Sequence, residues 1–284
     1  MQLVDLRATD PQELTALVGD AKAVVVPTWP AEPEPDLQAS IGTLLAALHP
    51  KQLVGVYDAF GGNDEPIDAV ADQLRSQGQK QAFSPLRIKQ LPQGSDYQRC
   101  EESGTDLGQL LTKEKTIAAM KSLDGDLDKA LGRISGGLYV VTASQGEGES
   151  QRRSAMVASW VSQASFNPPG ITVAVAKDRA VEALLHKGDR FALNVLAEGR
   201  ETALMKQFLQ PFEPGADRFA GLELDTGPAE QPLLPDALAW LDGKVSQRME
   251  CGDHWLIYAE VDHGGVLDAE GSTAVHHRRS GANY

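Results

Sequence analysis

The first part of the chain alternates short apolar runs with segments in which apolar residues recur at helical spacing. Over residues 1–118 this pattern predicts four βα units, with helices on both faces of a parallel sheet. The second and third runs are rich in β-branched residues and nearly continuous, as buried parallel strands are. The predicted strands are Leu3 to Arg7, Ala23 to Trp29, Leu53 to Phe60 and Leu86 to Leu91.

A helix is predicted after each of these strands. Asp10, Pro11 and Glu13 supply an N-cap, a proline at the first helical position and a capping-box carboxylate, which together start the first helix. Apolar residues at helical period define the buried faces of the other three helices. These faces are Leu37, Ile41, Leu44, Leu45 and Leu48; Ile67, Val70, Ala71 and Leu74; and Leu107, Leu110 and Leu111.

The period changes after a charged stretch. We interpret residues 119–130 as a linker with a short helical piece, and residues 131–284 as a mainly β barrel with inserted helices. One helix is expected around Val181, Leu184 and Leu185, and the last two strands are expected to pair across Cys251-Gly252-Asp253. The predicted strands are Gly137 to Ala143, Ser154 to Ser162, Ile171 to Ala176, Phe191 to Leu196, Ala239 to Arg248 and His254 to Val261.

Length and composition are consistent with two globular domains. The chain has 284 residues and a formal net charge of −14, which argues against binding to phosphate backbones. Cys100 and Cys251 are too far apart in sequence to suggest a disulfide framework or a zinc site. No apolar run approaches the ~20 residues of a membrane-spanning helix, and no signal peptide is recognisable, so we expect a cytoplasmic protein.

The loops after the second and third strands lie where open α/β sheets bind ligands. Val26 to Pro30 and Tyr57 to Asp64 resemble the two loops that hold FMN in flavodoxin-like domains. The resemblance implies flavin contacts from these loops, and ordinary packing of the aromatic residues is the alternative. The implied residues are Thr28, Trp29, Tyr57, Phe60, Gly61 and Gly62.

This resemblance is partial. Met1 stands at what would be the second strand of a flavodoxin-like sheet, and the family's Thr/Ser-rich phosphate loop is absent. The stretch Ala31 to Asp36 places acidic and proline residues where a flavin phosphate would need backbone N–H groups. We therefore expect a truncated flavodoxin-like, doubly wound parallel sheet in residues 1–118.

The second part resembles the flavin reductase family more closely. The run Met156 to Pro169 matches the family's small-residue strand and Ser-rich segment ending in Pro-Pro. Ala174 to Lys177, Phe191 to Leu196 and Gly252-Asp253-His254 follow in the family's order. The resemblance covers residues 131–284 and implies a flavin-reductase-like split β-barrel.

The resemblance also implies a flavin site. FMN is the expected cofactor, with FAD as the alternative, and NAD(P)H the expected substrate. Lys177 is implied to neutralise the phosphate, Ser165 to bind ribityl or phosphate oxygens, and Trp160 and Asn194 to line the pocket. For the serines, plain strand and turn roles are the alternative. The implied catalytic residue is His254, for which a hydrogen-bonded turn histidine is the alternative. The implied cofactor-binding residues are Met156, Val157, Ala158, Ser159, Trp160, Ser165, Lys177 and Asn194.

A flavodoxin-like part followed by a flavin-reductase-like part resembles the flavodiiron proteins of oxygenic phototrophs. In those proteins a metallo-β-lactamase-like diiron domain comes first. This chain has no H-x-E-x-D-H run, so we expect it to bind no metal, and it has no G-x-G-x-x-G run for a Rossmann dinucleotide site. Any nicotinamide would then stack on the flavin directly.

The resulting hypothesis is an NAD(P)H:flavin oxidoreductase that serves as the electron-transfer module of a flavodiiron oxygen or nitric oxide reductase. A non-catalytic assembly subunit with decayed flavin sites and a stand-alone flavin reductase of a two-component monooxygenase are the alternatives. We expect association with identical or related chains. The run His276 to Arg279 is expected to contact the barrel or a partner subunit.

Overall fold

A computed structural model describes residues 1–28, 35–58, 67–88, 91–121 and 125–281, with only the backbone of residues 114–121. The chain divides into two compact units, Met1–Lys113 and Glu114–Tyr284. In the described ranges no helix is both long and apolar enough to cross a membrane.

The first unit is built on a parallel sheet. Strand β2 pairs in parallel with β1, β3 and β4, and β3 and β4 lie end to end along one side of β2. The elements in chain order are α1 (Pro11–Asp20), β1 (Ala23–Pro27), α2 (Pro35–Ala47), β2 (Leu53–Asp58), α3 (Ile67–Ser76), β3 (Lys80–Gln81), β4 (Leu86–Arg87) and α4 (Gly94–Lys121).

The predicted helices form because their apolar stripes meet the sheet. Asp10 caps α1 by accepting a hydrogen bond from the Gln12 backbone N–H, with Pro11 at the first position, as the sequence predicts. The apolar faces of α1, α2 and α3 then pack with β1 and β2 in one core. This core contains Leu14, Val18, Val26, Ile41, Leu44, Leu45, Val54, Val56, Ile67, Val70 and Leu74.

Two strand predictions in this unit were wrong. Leu3 to Arg7 forms no strand, because the Asp5 carboxylate accepts the Arg7 N–H at 2.9 Å and the Asp5 carbonyl accepts the Thr9 N–H at 3.0 Å, which turns the chain. Among the described residues, the predicted strand Leu86 to Leu91 is present only as β4, Leu86–Arg87, and residues 89–90 lie outside them. The fourth helix extends to Lys121, and a further helix, α5, begins at Gly125 within residues 119–130, where the sequence predicts a linker with a short helical piece.

The second unit is mainly β. Its described residues contain a seven-stranded antiparallel sheet in the order β7-β6-β10-β13-β14-β9-β8. Its elements are α5 (Gly125–Leu131), β5 (Gly136–Gly137), β6 (Tyr139–Gln145), a 3₁₀ turn (Gly148–Ser150), β7 (Arg152–Ala158), β8 (Val161–Phe166), β9 (Pro169–Ala176), a second 3₁₀ turn (Ala180–Leu184), β10 (Arg190–Val195), α6 (Glu201–Leu209), β11 (Asp225–Thr226), β12 (Pro232–Leu233), β13 (Ala239–Cys251), β14 (His254–Val266) and β15 (Val275–His276).

The connection between β7 and β8 explains why the sheet curls into a barrel. These strands are the two edges of the sheet, yet only Ser159 and Trp160 separate them in sequence. The edges must therefore meet at this point, and the Trp160 carbonyl accepts the Ala174 N–H at 2.9 Å. The predicted single strand Ser154 to Ser162 was wrong, because the chain changes from one edge to the other inside it.

Two apolar clusters stabilise this unit. One joins the sheet strands with the second 3₁₀ turn, which replaces the helix predicted around Val181, and includes Phe191, Leu193 and Ile257. The other packs α6 against β6 and β7 and includes Leu138, Val140, Leu204 and Phe208. β13 and β14 form the predicted antiparallel pair, joined across Gly252, whose φ of +64° suits glycine.

Candidate functional site

A cleft opens where β7 passes into β8. Its volume is about 190 Å³, and its described lining is mainly apolar. Strand β7 and the Ser159–Trp160 corner supply one wall, β9 and the turn after it supply a second, and α6 and β15 complete it. The lining residues are Leu138, Met156, Val157, Ala158, Ser159, Trp160, Ala174, Ala176, Arg179, Met205, Phe208, Leu209 and His276.

Small residues let two backbone segments meet at the corner of this cleft. The backbone carbonyl of Ser159 lies directly against Gly136, so that a Cβ added at Gly136 would overlap its oxygen. Ala158 and Ser159 themselves carry little side-chain bulk. A planar ligand in the cleft can therefore approach the main chain here, as flavin rings require when they are bound by backbone groups.

Trp160 is the central aromatic residue of the site. Its ring centroid lies 5.0 Å from that of His254, with the planes tilted by 36°. The guanidinium carbon of Arg278 lies 5.1 Å from the Trp160 ring centroid, within the range of a cation–π contact. Trp160 keeps 36% of its surface exposed. Trp160 thus contacts two side chains and keeps part of its surface open to a ligand.

His254, the implied catalytic residue, contacts Trp160 but is not among the residues that line the cleft. It is buried, with 9% of its surface exposed, and its Nδ1 lies 2.8 Å from Asp253 Oδ1. This contact fixes the ring orientation at the first residue of β14.

Lys177 and Arg179 follow Ala176, which lines the cleft, but only Arg179 joins the lining. The Lys177 amine forms an ion pair with Glu250 and lies 5.1 Å from the Trp255 ring centroid. This pairing lowers the pKa of Glu250 through hydrogen bonding and charge. The positive charge that the resemblance assigned to Lys177 is therefore already matched by a carboxylate.

Asn194 and Ser165 also lie outside the cleft. Asn194 is fully buried, donates hydrogen bonds to the Val140 carbonyl at 3.2 Å and to Thr142 Oγ1 at 3.1 Å, and accepts the Leu234 N–H at 2.9 Å. These contacts tie β6, β10 and the segment after β12 together. Ser165 lies on the edge strand β8 at a register irregularity opposite Gly170.

Two polar lining residues were missed by the sequence reasoning, Arg179 and His276. Arg179 follows the motif that contains Lys177, and His276 lies more than 100 residues after the Met156 run. The pKa of His276 is lowered by burial and by the neighbouring charges of Arg278 and His277. The sequence predicts that the run His276 to Arg279 contacts the barrel or a partner subunit, but nothing in its spacing indicates that it lines the cleft.

In the first unit, the described candidates lie at the carboxyl edge of the sheet. Thr28 is buried and its backbone N–H donates to the Tyr57 carbonyl at 2.8 Å. Tyr57 lies on β2 opposite Pro27 and Leu86. Trp29, Phe60, Gly61 and Gly62 lie outside the described residues. In the described part of the chain no three His, Cys, Asp or Glu side chains form a group able to hold a metal ion.

Comparison with known families identifies the second unit. Residues 131–283 match the family described as "Flavin reductase like domain". The chain therefore belongs to the flavin reductase-like domain family.

The chain is also similar, over its whole length, to cyanobacterial diflavin flavoproteins. It is 53% identical to "Diflavin flavoprotein A 1" of Synechocystis sp. (strain ATCC 27184 / PCC 6803 / Kazusa) over 284 residues, which are 100% of this chain and 49% of that protein. It is 50% identical to "Putative diflavin flavoprotein A 3" of Nostoc sp. (strain PCC 7120 / SAG 25.82 / UTEX 2576), with coverage of 100% and 49%. The chain spans about half the length of these curated relatives.

Solved structures with similar folds include the NADH:FAD oxidoreductase SgcE6 of Streptomyces globisporus C-1027. It is 26% identical, with a TM-score of 0.46, and the match covers 54% of this chain and 86% of that one. A structure of SgcE6 in complex with NAD and FAD fragments is 25% identical, with a TM-score of 0.46 and coverage of 55% and 87%.

Proposed function

We propose that the chain is a flavin-binding NAD(P)H:flavin oxidoreductase, the electron-transfer module of a flavodiiron oxygen or nitric oxide reductase. The observation that carries this proposal is the cleft at the β7–β8 corner, which gathers Met156 to Trp160 around an apolar space. Membership of the flavin reductase-like family and the similarity to diflavin flavoproteins support it. In this proposal the protein is cytoplasmic and self-associates.

The residues of the cleft fit a flavin ring, with FMN preferred over FAD. When bound, the flavin accepts a hydride from the nicotinamide and passes on its electrons. Trp160 offers an aromatic face, and the backbone at Ala158 and Ser159 offers hydrogen-bond donors to the polar end of the ring. Met205, Phe208 and Leu209 exclude water from the opposite side. His254 contacts Trp160 and brings an imidazole ring close to the site, which suits positioning of the nicotinamide.

For the phosphate, the geometry favours Arg179 over Lys177. Arg179 is the one permanently charged residue among the described residues that line the cleft, and its side chain is 51% exposed. Its Nε lies 3.9 Å from Asp178 Oδ1, beyond hydrogen-bond distance, so the planar donors can face a ligand. Lys177 would have to leave Glu250 first.

The remaining domain assignments are part of the same proposal. Residues 1–118 are a flavodoxin-like domain without its first strand and phosphate loop, residues 119–130 link the domains, and residues 131–284 form the split barrel. The parallel sheet of the first unit supports the flavodoxin-like assignment. In an intact protein of twice this length, an upstream diiron domain would receive the electrons.

The test is a titration of the purified chain with FMN, followed by NADH and NADPH oxidation. We expect one FMN per chain, and a Trp160→Leu variant should bind FMN about tenfold more weakly because a stacked aromatic contact and its buried area are lost. Phe166→Leu is the matched control, because Phe166 is 89% exposed at the end of β8, outside the cleft. The control should bind FMN like the natural chain.

Two outcomes would contradict the proposal. If the natural chain binds no FMN or FAD up to high micromolar concentrations, the barrel is better explained as an assembly subunit. If flavin binds but neither nicotinamide is oxidised above the rate with free flavin, the chain is a carrier rather than a reductase.

A further inference from the structure

The C-terminal segment from Ser272 to Gly281, which we call the C-terminal clasp, packs beside the cleft. At its start, the Glu198 N–H donates to the Ser272 carbonyl, and Ala274 bonds to Leu138 and Leu196, each at 2.8 Å. At its end, the Gly281 N–H donates to the Asp128 carbonyl at 2.8 Å and Ser280 Oγ donates to Asp128 Oδ1 at 2.9 Å. The clasp is therefore fixed at both ends.

Between these anchors the clasp reaches the corner that holds Trp160. β15 pairs with β5, so that His276 stands opposite Gly136, and Gly136 lies against the Ser159 carbonyl. Because Gly136 has no side chain, the clasp and the β7–β8 corner are separated by a single layer of backbone.

Side chains of the run His276 to Arg279 alternate in exposure, as expected for an extended segment. His276 and Arg278 are half-buried, whereas His277 and Arg279 are exposed. His276 lines the cleft, and the Arg278 guanidinium lies over the Trp160 ring while donating to the Leu131 and Ile134 carbonyls at 3.2 and 3.3 Å. Each inward residue is thus followed by an outward residue of the same type.

We propose that the C-terminal clasp completes the ring-binding site: His276 contacts the planar ring of the ligand directly, and Arg278 is a positioning residue that holds Trp160 against that ring. This inference rests on the proposed function, because it takes the ligand to be a flavin.

The chemistry of both residues suits these roles. The lowered pKa of His276 keeps its imidazole neutral near pH 7, so the ring can exchange a hydrogen bond with a neutral or anionic flavin edge without adding a charge. The two carbonyl partners of Arg278 fix its planar guanidinium over Trp160. Trp160 consequently contacts Arg278 and His254 before any ligand arrives, which reduces the entropy lost on binding.

The test for His276 uses lumiflavin, which has the ring but no phosphate, beside FMN. His276→Ala should raise the dissociation constants of both by about the same factor, roughly tenfold, the effect of one lost hydrogen bond and its contact. His277→Ala should stay within about twofold of the natural chain. Equal losses in the two variants, or a loss for FMN alone, would overturn the ring contact.

A second measurement on the natural chain needs no variant to fold. In ¹⁵N-histidine-labelled protein, saturation with lumiflavin should shift the imidazole signals of His276 and leave those of His277 in place. Unmoved His276 signals at saturation would also overturn the assignment. If the natural chain binds neither lumiflavin nor FMN, the proposed function itself fails, which is a distinct result.

The test for Arg278 is a double-mutant cycle with Trp160. Arg278→Met should weaken lumiflavin binding about fivefold in the natural background, and Arg278→Lys, which keeps the cation over the ring, should recover most of the loss. Arg279→Met is the matched control. In a Trp160→Leu background, Arg278→Met should have no further effect beyond about twofold; a full additive loss would show that Arg278 does not act through Trp160.

Discussion

At the scale of single residues, side-chain direction separates the sequence motif from the cleft. Met156 to Trp160 are contiguous in sequence and line the cleft together, so the motif locates its main wall. Lys177 and Asn194 belong to equally recognisable motifs, yet Lys177 is paired with Glu250 and Asn194 is buried against the segment after β12. A motif fixes the order of residue types, whereas alternation along a strand and the partners across it decide where each side chain points.

Asn194 provides a test of this distinction. Asn194→Ala would remove the hydrogen bond that Asn194 Oδ1 accepts from the Leu234 N–H and the one that Asn194 Nδ2 donates to Thr142 Oγ1. We expect the free energy of unfolding to fall by about 2–4 kcal/mol, measured by urea denaturation, because buried polar groups lose their hydrogen bonds. Flavin affinity of the folded variant should stay within about twofold of the natural value.

Gln163→Ala is the control, because this side chain is exposed on β8. It should change the free energy of unfolding by less than about 0.5 kcal/mol. A stable Asn194→Ala protein that has lost its flavin affinity would instead show that Asn194 belongs to the flavin site.

At the scale of elements, apolar periodicity predicted which helices pack on the sheet, and local hydrogen bonds determined where a predicted strand is interrupted. The helices α1, α2 and α3 form where their stripes predict, because each stripe meets the same sheet core. The expected first strand was lost to a turn at Asp5, and β3 and β4 divide one edge of the sheet into two short pieces. Single side chains cause such interruptions, and periodicity does not detect them.

Gly55 lies beside the interruption between β3 and β4. The ring of Phe83 occupies the space where a Cβ at position 55 would stand. Gly55→Ala should therefore displace this ring and lower the free energy of unfolding of the first unit by about 1–3 kcal/mol, the usual effect of overpacking. Thermal or urea unfolding measures the change.

The matched control is Gly42→Ala in α2, where an added Cβ meets nothing within 4 Å. This substitution should leave stability unchanged or raise it by up to about 1 kcal/mol, because alanine is the better helix former. If both substitutions stabilise the protein, Phe83 moves aside freely and does not require glycine at position 55.

At the scale of the whole molecule, the change of period in the sequence separates two compact units. The sequence predicts a linker at residues 119–130. In the structure, the helix α4 runs through Lys113, where the two units divide. The next helix, α5, contains Asp128, which anchors the C-terminal clasp. The clasp could not be predicted from pattern, because its hydrogen bonds join residues about 150 positions apart. Contacts of such long range are made by topology rather than by local sequence.

A comparison of two fragments tests what the second unit needs in order to bind flavin. Every described residue that lines the cleft lies between Leu138 and His276, so residues 125–284 should bind FMN with a dissociation constant within about threefold of that of the whole chain. Residues 131–284 retain the family match and all lining residues but lack Asp128, which accepts hydrogen bonds from Ser280 and Gly281. The clasp then loses its terminal anchor, and FMN binding should weaken about tenfold.

Isothermal titration of both fragments beside the whole chain measures the difference, with circular dichroism to confirm that each is folded. Equal FMN affinity of the two fragments would show that the clasp needs no anchor at Asp128. A folded 125–284 fragment that does not bind FMN would show that flavin binding requires the first unit.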